Sequence, residues 1–383
     1  MSVTAPAGFS ASGVVAGLKS SGAADVALVV NDGPLQAAAG VFTRNRVKAA
    51  PVLWSQRVLA AGELHAVVLN AGGANACTGP GGFQDAHATA EHVAGLLGCG
   101  PGEVAVCSTG LIGERLPMDR LLTGVTEAAK ALADDGGRDA AHAIMTTDSV
   151  AKQVHVAASG WSVGGMAKGA GMLAPSLATM LVVLTTDAVA DAGTLDAALR
   201  AATAETFDRL DSDGSTSTND TVLLLASGAS GVTPDAAELR AAITMACAGL
   251  AHRLLADAEG STKDIAITVE GAASTADAVE VGRAVARDNL VKCAIFGSDP
   301  NWGRILAAVG MTTALFDPDR VSVGINGVEV CRDGAGAVDR SLVDMSGRAV
   351  AITIGLQAGA ECATVLTNDL SLAYVHENSA YST

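Results

Sequence analysis

Lys168-Gly-Ala-Gly-Met-Leu-Ala-Pro-Ser-Leu-Ala-Thr-Met-Leu-Val-Val-Leu-Thr-Thr186 is the stretch on which the reading of this chain turns. Its first part, Lys168 to Pro175, reads as a glycine-rich loop that closes on a proline. Gly169 and Gly171 open backbone angles that other residues avoid, and Pro175 has no N–H to give a sheet. From Thr179 the pattern changes to Met180, Leu181, Val182, Val183 and Leu184, a short apolar run that predicts a buried strand. Thr179 therefore stands where a small-residue loop enters a strand. Before it comes Ala178, whose methyl group leaves its own carbonyl open to attack.

A threonine at such a junction is placed to cut its own chain. Attack of its hydroxyl on the Ala178 carbonyl turns an amide into an ester, and water then frees Thr179 as a new amino terminus. An α-amine titrates at roughly 7.7 to 8. It can act as general base for the hydroxyl of the same residue, the Thr–N-terminus form of an activated nucleophile. Taken alone, the residues equally allow an ordinary strand threonine behind a turn. Two other motifs fail. Gly169-Ala-Gly-Met-Leu-Ala174 matches a dinucleotide-binding string, but a proline and a strand follow where a helix is needed. Lys168 is not a P-loop lysine, because no Ser or Thr follows it.

The 383 residues are 49% hydrophobic but only 3% aromatic, with 44 glycines. Many small residues suit close packing of helices on a sheet. A net charge of −16, with no basic stripe, argues against a nucleic-acid partner. No uninterrupted apolar run reaches membrane-spanning length, and the first residues lack the pattern of a signal peptide, so the expectation is a cytoplasmic protein without a membrane. The seven cysteines are scattered, with no C-x-x-C pair, and read as reduced thiols; no metal site is expected.

Along the chain, residues 26–31, 66–70, 104–107, 153–156, 221–226 and 265–269 read as strands. Helices are expected over 84–97, 119–134, from 191 to about 207, and over 276–289, with another beginning at Asn301. Thr233-Pro-Asp-Ala-Ala-Glu reads as a helix start with Thr233 as the cap. That helix should run to about Asp257 and bury Leu239, Ile243, Ala246, Leu250 and Leu254. Short strands over 321–323, 328–330, 350–354 and 362–366 suggest a smaller β-rich portion at the carboxyl end. Asp211 to Asp220 is acidic and turn-forming but fails as a calcium loop, because Arg209 stands where the first ligand would be. Alternating helices and strands place the fold in the α/β or α+β class.

Further motifs occur in order: Asn70-Ala-Gly-Gly-Ala-Asn-Ala-Cys-Thr-Gly79, Ser108-Thr-Gly-Leu-Ile-Gly113, Met145-Thr-Thr-Asp148, Ser217-Thr-Asn-Asp-Thr221, Glu259-Gly-Ser-Thr-Lys263, Asn301-Trp-Gly-Arg304, and Asn378 near the carboxyl end. Together with Lys168 to Leu181, they resemble the ornithine acetyltransferase (glutamate N-acetyltransferase) family of arginine biosynthesis over nearly the whole chain. Gly73 stands where the family more often has Asn. The resemblance implies an αββα sandwich of the amino-terminal-nucleophile type. It implies self-cleavage between Ala178 and Thr179, so that 1–178 and 179–383 become two chains folded together and assembled as an α2β2 heterotetramer. It also implies ping-pong transfer of an acetyl group from N2-acetylornithine to glutamate through an acetyl-Thr179 ester. Thr109 and Gly110 would form the oxyanion hole. Thr146, Lys168, Glu259, Asn378 and Thr383 would join Thr179 in touching substrate, Thr146 being preferred to Thr147 and Lys168 facing the substrate carboxylate. No cofactor is implied, though acetyl-CoA as a second donor stays open. A hydrolase or aminopeptidase on the same scaffold and a nucleotide-binding protein are the rival readings.

Overall fold

The computed structural model describes residues 2–172 and 180–380. Leu173 to Thr179 and Tyr381 to Thr383 lie outside the described residues, and with them the expected cleavage site, Ala178 and Thr179, and the terminal Thr383.

Among the described residues the strands form three sheets. The first, of four strands, runs Phe9–Val14, Val26–Asn31, Ala66–Ala71, Val104–Thr109. Its last two strands are parallel, with Ala71 beside Thr109. A parallel pair needs a crossover, supplied here by the helix Gly79–Leu97. The second sheet runs Ala37–Phe42, Thr221–Ala226, Leu181–Thr186, Ser162–Lys168, Lys152–Ala157. Leu181 is registered against both Lys168 and Thr221, so these three residues lie side by side at one end of the sheet.

Alternation along the second sheet builds two cores at once. Leu181, Val183, Leu223 and Leu225 join the strands of the first sheet in one apolar cluster. Val182, Leu184, Val222 and Leu224 join the helices Ala192–Glu205 and Ala236–Ala256 in another. Helices Gly79–Leu97 and Met118–Lys130 cover the far side of the first sheet. The order helix, sheet, sheet, helix is the expected αββα sandwich. Both sheets are buried on both faces, which is why their strands read as continuous apolar runs.

The helix Ala236–Ala256 is long and apolar enough to cross a membrane by length and composition. Here half of it is buried, with Leu239, Ile243, Ala246, Leu250 and Leu254 packed on the second sheet. It begins two residues later than the sequence suggests. Asp235, not Thr233, is the cap: its carboxylate accepts from the Glu238 N–H while the Glu238 side chain turns back to the Asp235 N–H. Two reciprocal bonds outweigh the single one a threonine cap would make. Lys168 is likewise not in a loop. It ends the strand Ser162–Lys168, whose glycines permit close packing against the neighbouring strands.

The carboxyl-terminal part, from Asp264, builds a six-stranded mixed sheet backed by helices Thr275–Arg287, Asn289–Phe296 and Trp302–Val309 around its own core. A bridge between Leu210 and Leu366 ties it to the sandwich.

Candidate active site

The ends of the two central sheets meet at one cavity of about 160 Å³, below the roughly 300–1,000 Å³ of drug-sized sites. Thr109, Gly110, Thr146, Lys168, Glu259 and Asn378 all line it. They come from positions 109 to 378 of the chain and are brought together by strand register and helix docking.

Thr109 ends its strand, and its carbonyl accepts from the N–H groups of Gly72 and Gly73. Gly110 follows with φ +128°, and a Cβ there would meet Gly73 N at 2.6 Å. Only glycine makes that bend. Its own N–H has no hydrogen-bond partner among the described residues, while the Thr109 hydroxyl accepts from Lys168 Nζ at 3.3 Å. A hydroxyl and an uncommitted amide at adjacent positions are the kind of donor pair that a developing oxyanion requires.

Lys168 is buried, and its ammonium also stands 3.9 Å from Asp148 Oδ2. Burial lowers its pKa, Asp148 opposes that, and the charge of Lys152 lowers it further. Asp148 is the hub. Its Oδ1 accepts from Lys152 Nζ at 2.6 Å and from the Gly169 N–H at 2.6 Å, and its Oδ2 accepts from the Thr146 N–H at 3.0 Å. Burial alone would raise this carboxyl, but Lys168 and Lys152 outweigh it and hold it down at about 2. Lys152 in turn reaches Asp257 at 2.5 Å. One buried carboxylate thus ties together the cavity lysine, a cavity threonine and the start of the glycine loop.

Glu259 is also buried. Its N–H donates to the Ala170 carbonyl, and its carboxylate accepts from the Thr147 hydroxyl at 2.6 Å. Gly171 passes so close that a Cβ would stand 2.5 Å from that carboxylate. Both threonines line the cavity, but in different ways: Thr147 holds Glu259 through its side chain, and Thr146 is held by Asp148 through its amide.

The last described helix is held against the site. Leu372–Ala380 is a helix whose start is fixed by Ser371, which accepts from the Tyr374 N–H and donates to the Gly260 carbonyl. It brings Tyr374 and Asn378 to the cavity wall.

The sequence left Ser217 to Asp220 without individual roles. Asn219 donates through its amide to the carbonyls of Ala74 and Ser108, at 2.7 and 2.8 Å, and so ties the loop after the strand Ala66–Ala71 to the end of the strand Val104–Thr109, beside Thr109 and Gly110. Asp220, wholly buried, accepts the Met180 N–H at 3.0 Å. Asp148 and Lys152 were missed as well. A short polar residue inside a motif carries no sequence mark of its partners; the signal was only that the motif was there.

The ArgJ family model matches residues 10–383. The chain is 63% identical over 382 residues to the arginine biosynthesis bifunctional protein ArgJ of Streptomyces coelicolor, covering 100% of both. It is 63% identical to the protein of the same name from Mycobacterium leprae, covering 99% of this chain and 95% of that one. Among solved structures, the ornithine acetyltransferase from Mycobacterium tuberculosis complexed with ornithine is 66% identical over 46% of this chain and 96% of its own, with a TM-score of 0.46.

Proposed function

The chain belongs to the ArgJ family, and from that premise we propose that it moves an acetyl group from N2-acetylornithine to glutamate in arginine biosynthesis, with Thr179 as the nucleophile. The observation that carries the reading is the cavity, which joins the Thr109–Gly110 donor pair, a buried lysine and a buried carboxylate at the end of the sheet beside Met180.

In the proposed sequence the precursor first cuts itself. The Thr179 hydroxyl adds to the Ala178 carbonyl, the C–N bond breaks, the nitrogen takes the proton, and water hydrolyses the resulting ester. The α-amine so freed then takes the proton of the same hydroxyl as it attacks the acetyl carbonyl of N2-acetylornithine. Thr109 and Gly110 stabilise the oxyanion, a contribution of several kcal/mol for such donors. Lys168, bonded to Thr109, keeps positive charge at that point. Ornithine leaves with the proton, the acetyl group stays on Thr179, and the amine of glutamate completes the exchange. Glu259 suits the cationic amine of an amino-acid substrate. Thr146, Lys168, Asn378 and Thr383 complete the proposed substrate contacts.

Acetyl-CoA as a second donor is part of the proposal, in keeping with the relatives' description as bifunctional. So are the α2β2 assembly of chains 1–178 and 179–383 and a cytoplasmic site of action.

Intact-mass measurement tests the first step: the purified protein should appear as two chains, and Thr179→Ala as one uncut species. Incubation with N2-acetylornithine, with and without glutamate, tests the second. Acetylglutamate should form; acetate as the main product would make the protein a hydrolase, and an efficiently cut Thr179→Ala protein would refute the nucleophile.

A further inference from the structure

Met180 is held at two points by consecutive residues. Its carbonyl accepts from the Thr221 N–H at 3.1 Å, and its N–H donates to Asp220 Oδ1 at 3.0 Å. The first bond is backbone ladder, which almost any residue at 221 would make. The second depends on the side chain at 220 alone. That side chain is a costly choice: Asp220 is wholly buried, and among the described residues its second oxygen, Oδ2, makes no hydrogen bond of good geometry, although Ser217 lies beside the carboxyl and lowers its pKa. A buried carboxylate with an open oxygen is expensive when ionised, so such groups survive by staying neutral or by serving a function.

We propose that Asp220 is a positioning residue for both self-cleavage and acetyl transfer, holding the Met180 amide and with it the peptide after the nucleophile. The inference rests on the reading of Thr179 given above. A neutral carboxyl at 220 suits that role. The amine that must act as base is joined to the residue Asp220 holds. A carboxylate beside it would favour the ammonium form and suppress the base. Burial pushes Asp220 well above the usual carboxylate range. Its charged neighbour is Lys168, at the end of the strand on the far side of Leu181–Thr186, around which lie Asp148, Lys152 and Glu259. The carboxyl therefore supplies an acceptor for Met180 without bringing a second negative charge to the amine.

Two variants test this, with Thr179→Ala as control. Asp220→Ala deletes the anchor, and a misplacement of the reacting group should slow self-cleavage and, in the processed fraction, kcat by about tenfold to hundredfold. Asp220→Asn keeps an acceptor and stays uncharged, and should restore most of what alanine loses. The acid limb of the kcat/KM pH profile should stand at the same pH in Asp220→Asn as in the parent. A limb moved down by a unit or more would mean that an ionised Asp220 had been acting on the base. Wild-type cleavage in Asp220→Ala, or asparagine as slow as alanine in a protein with the parent's circular dichroism, would each overturn the proposal. Cleavage of Thr179→Ala would instead overturn the nucleophile itself; uncut Thr179→Ala with unaffected Asp220→Ala would sink the inference alone.

Discussion

Asp148→Asn should destabilise the protein by more than any change at the surface. The carboxylate is fully buried and sits between two buried ammonium groups, Lys152 and Lys168. Holding it at about 2, against an ordinary 3.8, corresponds to about 2 kcal/mol of stability at neutral pH. Asparagine costs more than that. It removes the charge facing both lysines, and its NH2 must point at donors on one side: Lys152 and Gly169 on Oδ1, or Thr146 on Oδ2. Breaking a buried ion pair from one side costs about 3–5 kcal/mol. The pH dependence follows from the direction of the shift. A depressed carboxyl stabilises the fold above its unfolded pKa, and that stability is lost as pH falls through the folded value. The gap between parent and variant should therefore be constant from neutral pH down to near 4, and then close toward pH 2 as Asp148 itself becomes neutral. Urea unfolding followed by tryptophan fluorescence, at matched protein concentration and several pH values, measures it. A variant within about 1 kcal/mol of the parent at pH 7, well short of the expected cost, would refute the reasoning. So would a gap that already closes between pH 7 and 5.

Three further outcomes are expected. Gly110→Ala places a methyl against backbone at 2.6 Å in a left-handed conformation and moves the amide proposed to face the oxyanion; kcat should fall by about 10²–10³ with a smaller change in KM, and a parent-like kcat would remove Gly110 from the site. Glu259→Gln removes a charge-assisted bond of about 1.5–3 kcal/mol; KM for N2-acetylornithine should rise at least tenfold with little change in melting temperature, and an unchanged KM would show that Glu259 does not meet substrate. Gly260→Ala drives a Cβ to 2.2 Å from Tyr374 N at φ +59°; the helix Leu372–Ala380 must shift, so carboxypeptidase should trim the chain faster while the core melts as before. Resistance to trimming equal to the parent's would show that the close approach does not hold the helix.

The sequence by itself determined the strands of the sandwich, because a sheet buried on both faces needs unbroken apolar runs, and 26–31, 66–70 and 221–226 supply them. It also marked the helix that packs Leu239 to Leu254 on the second sheet, since that stripe recurs at helical spacing. It named Thr109, Gly110, Lys168, Glu259 and Asn378 through motifs whose order resembles one family. It misplaced Lys168 in a loop, because glycines that allow close strand packing look the same in sequence as glycines of a turn. It gave Asp148, Lys152 and Asp220 no role of their own. The partners of a buried charge come from other strands and helices, and strand register decides which ones. Only the folded chain brings Thr146, Gly169 and two lysines to one carboxylate, or sets Asp220 against the Met180 amide, and those contacts decide how the motif residues are charged and aimed.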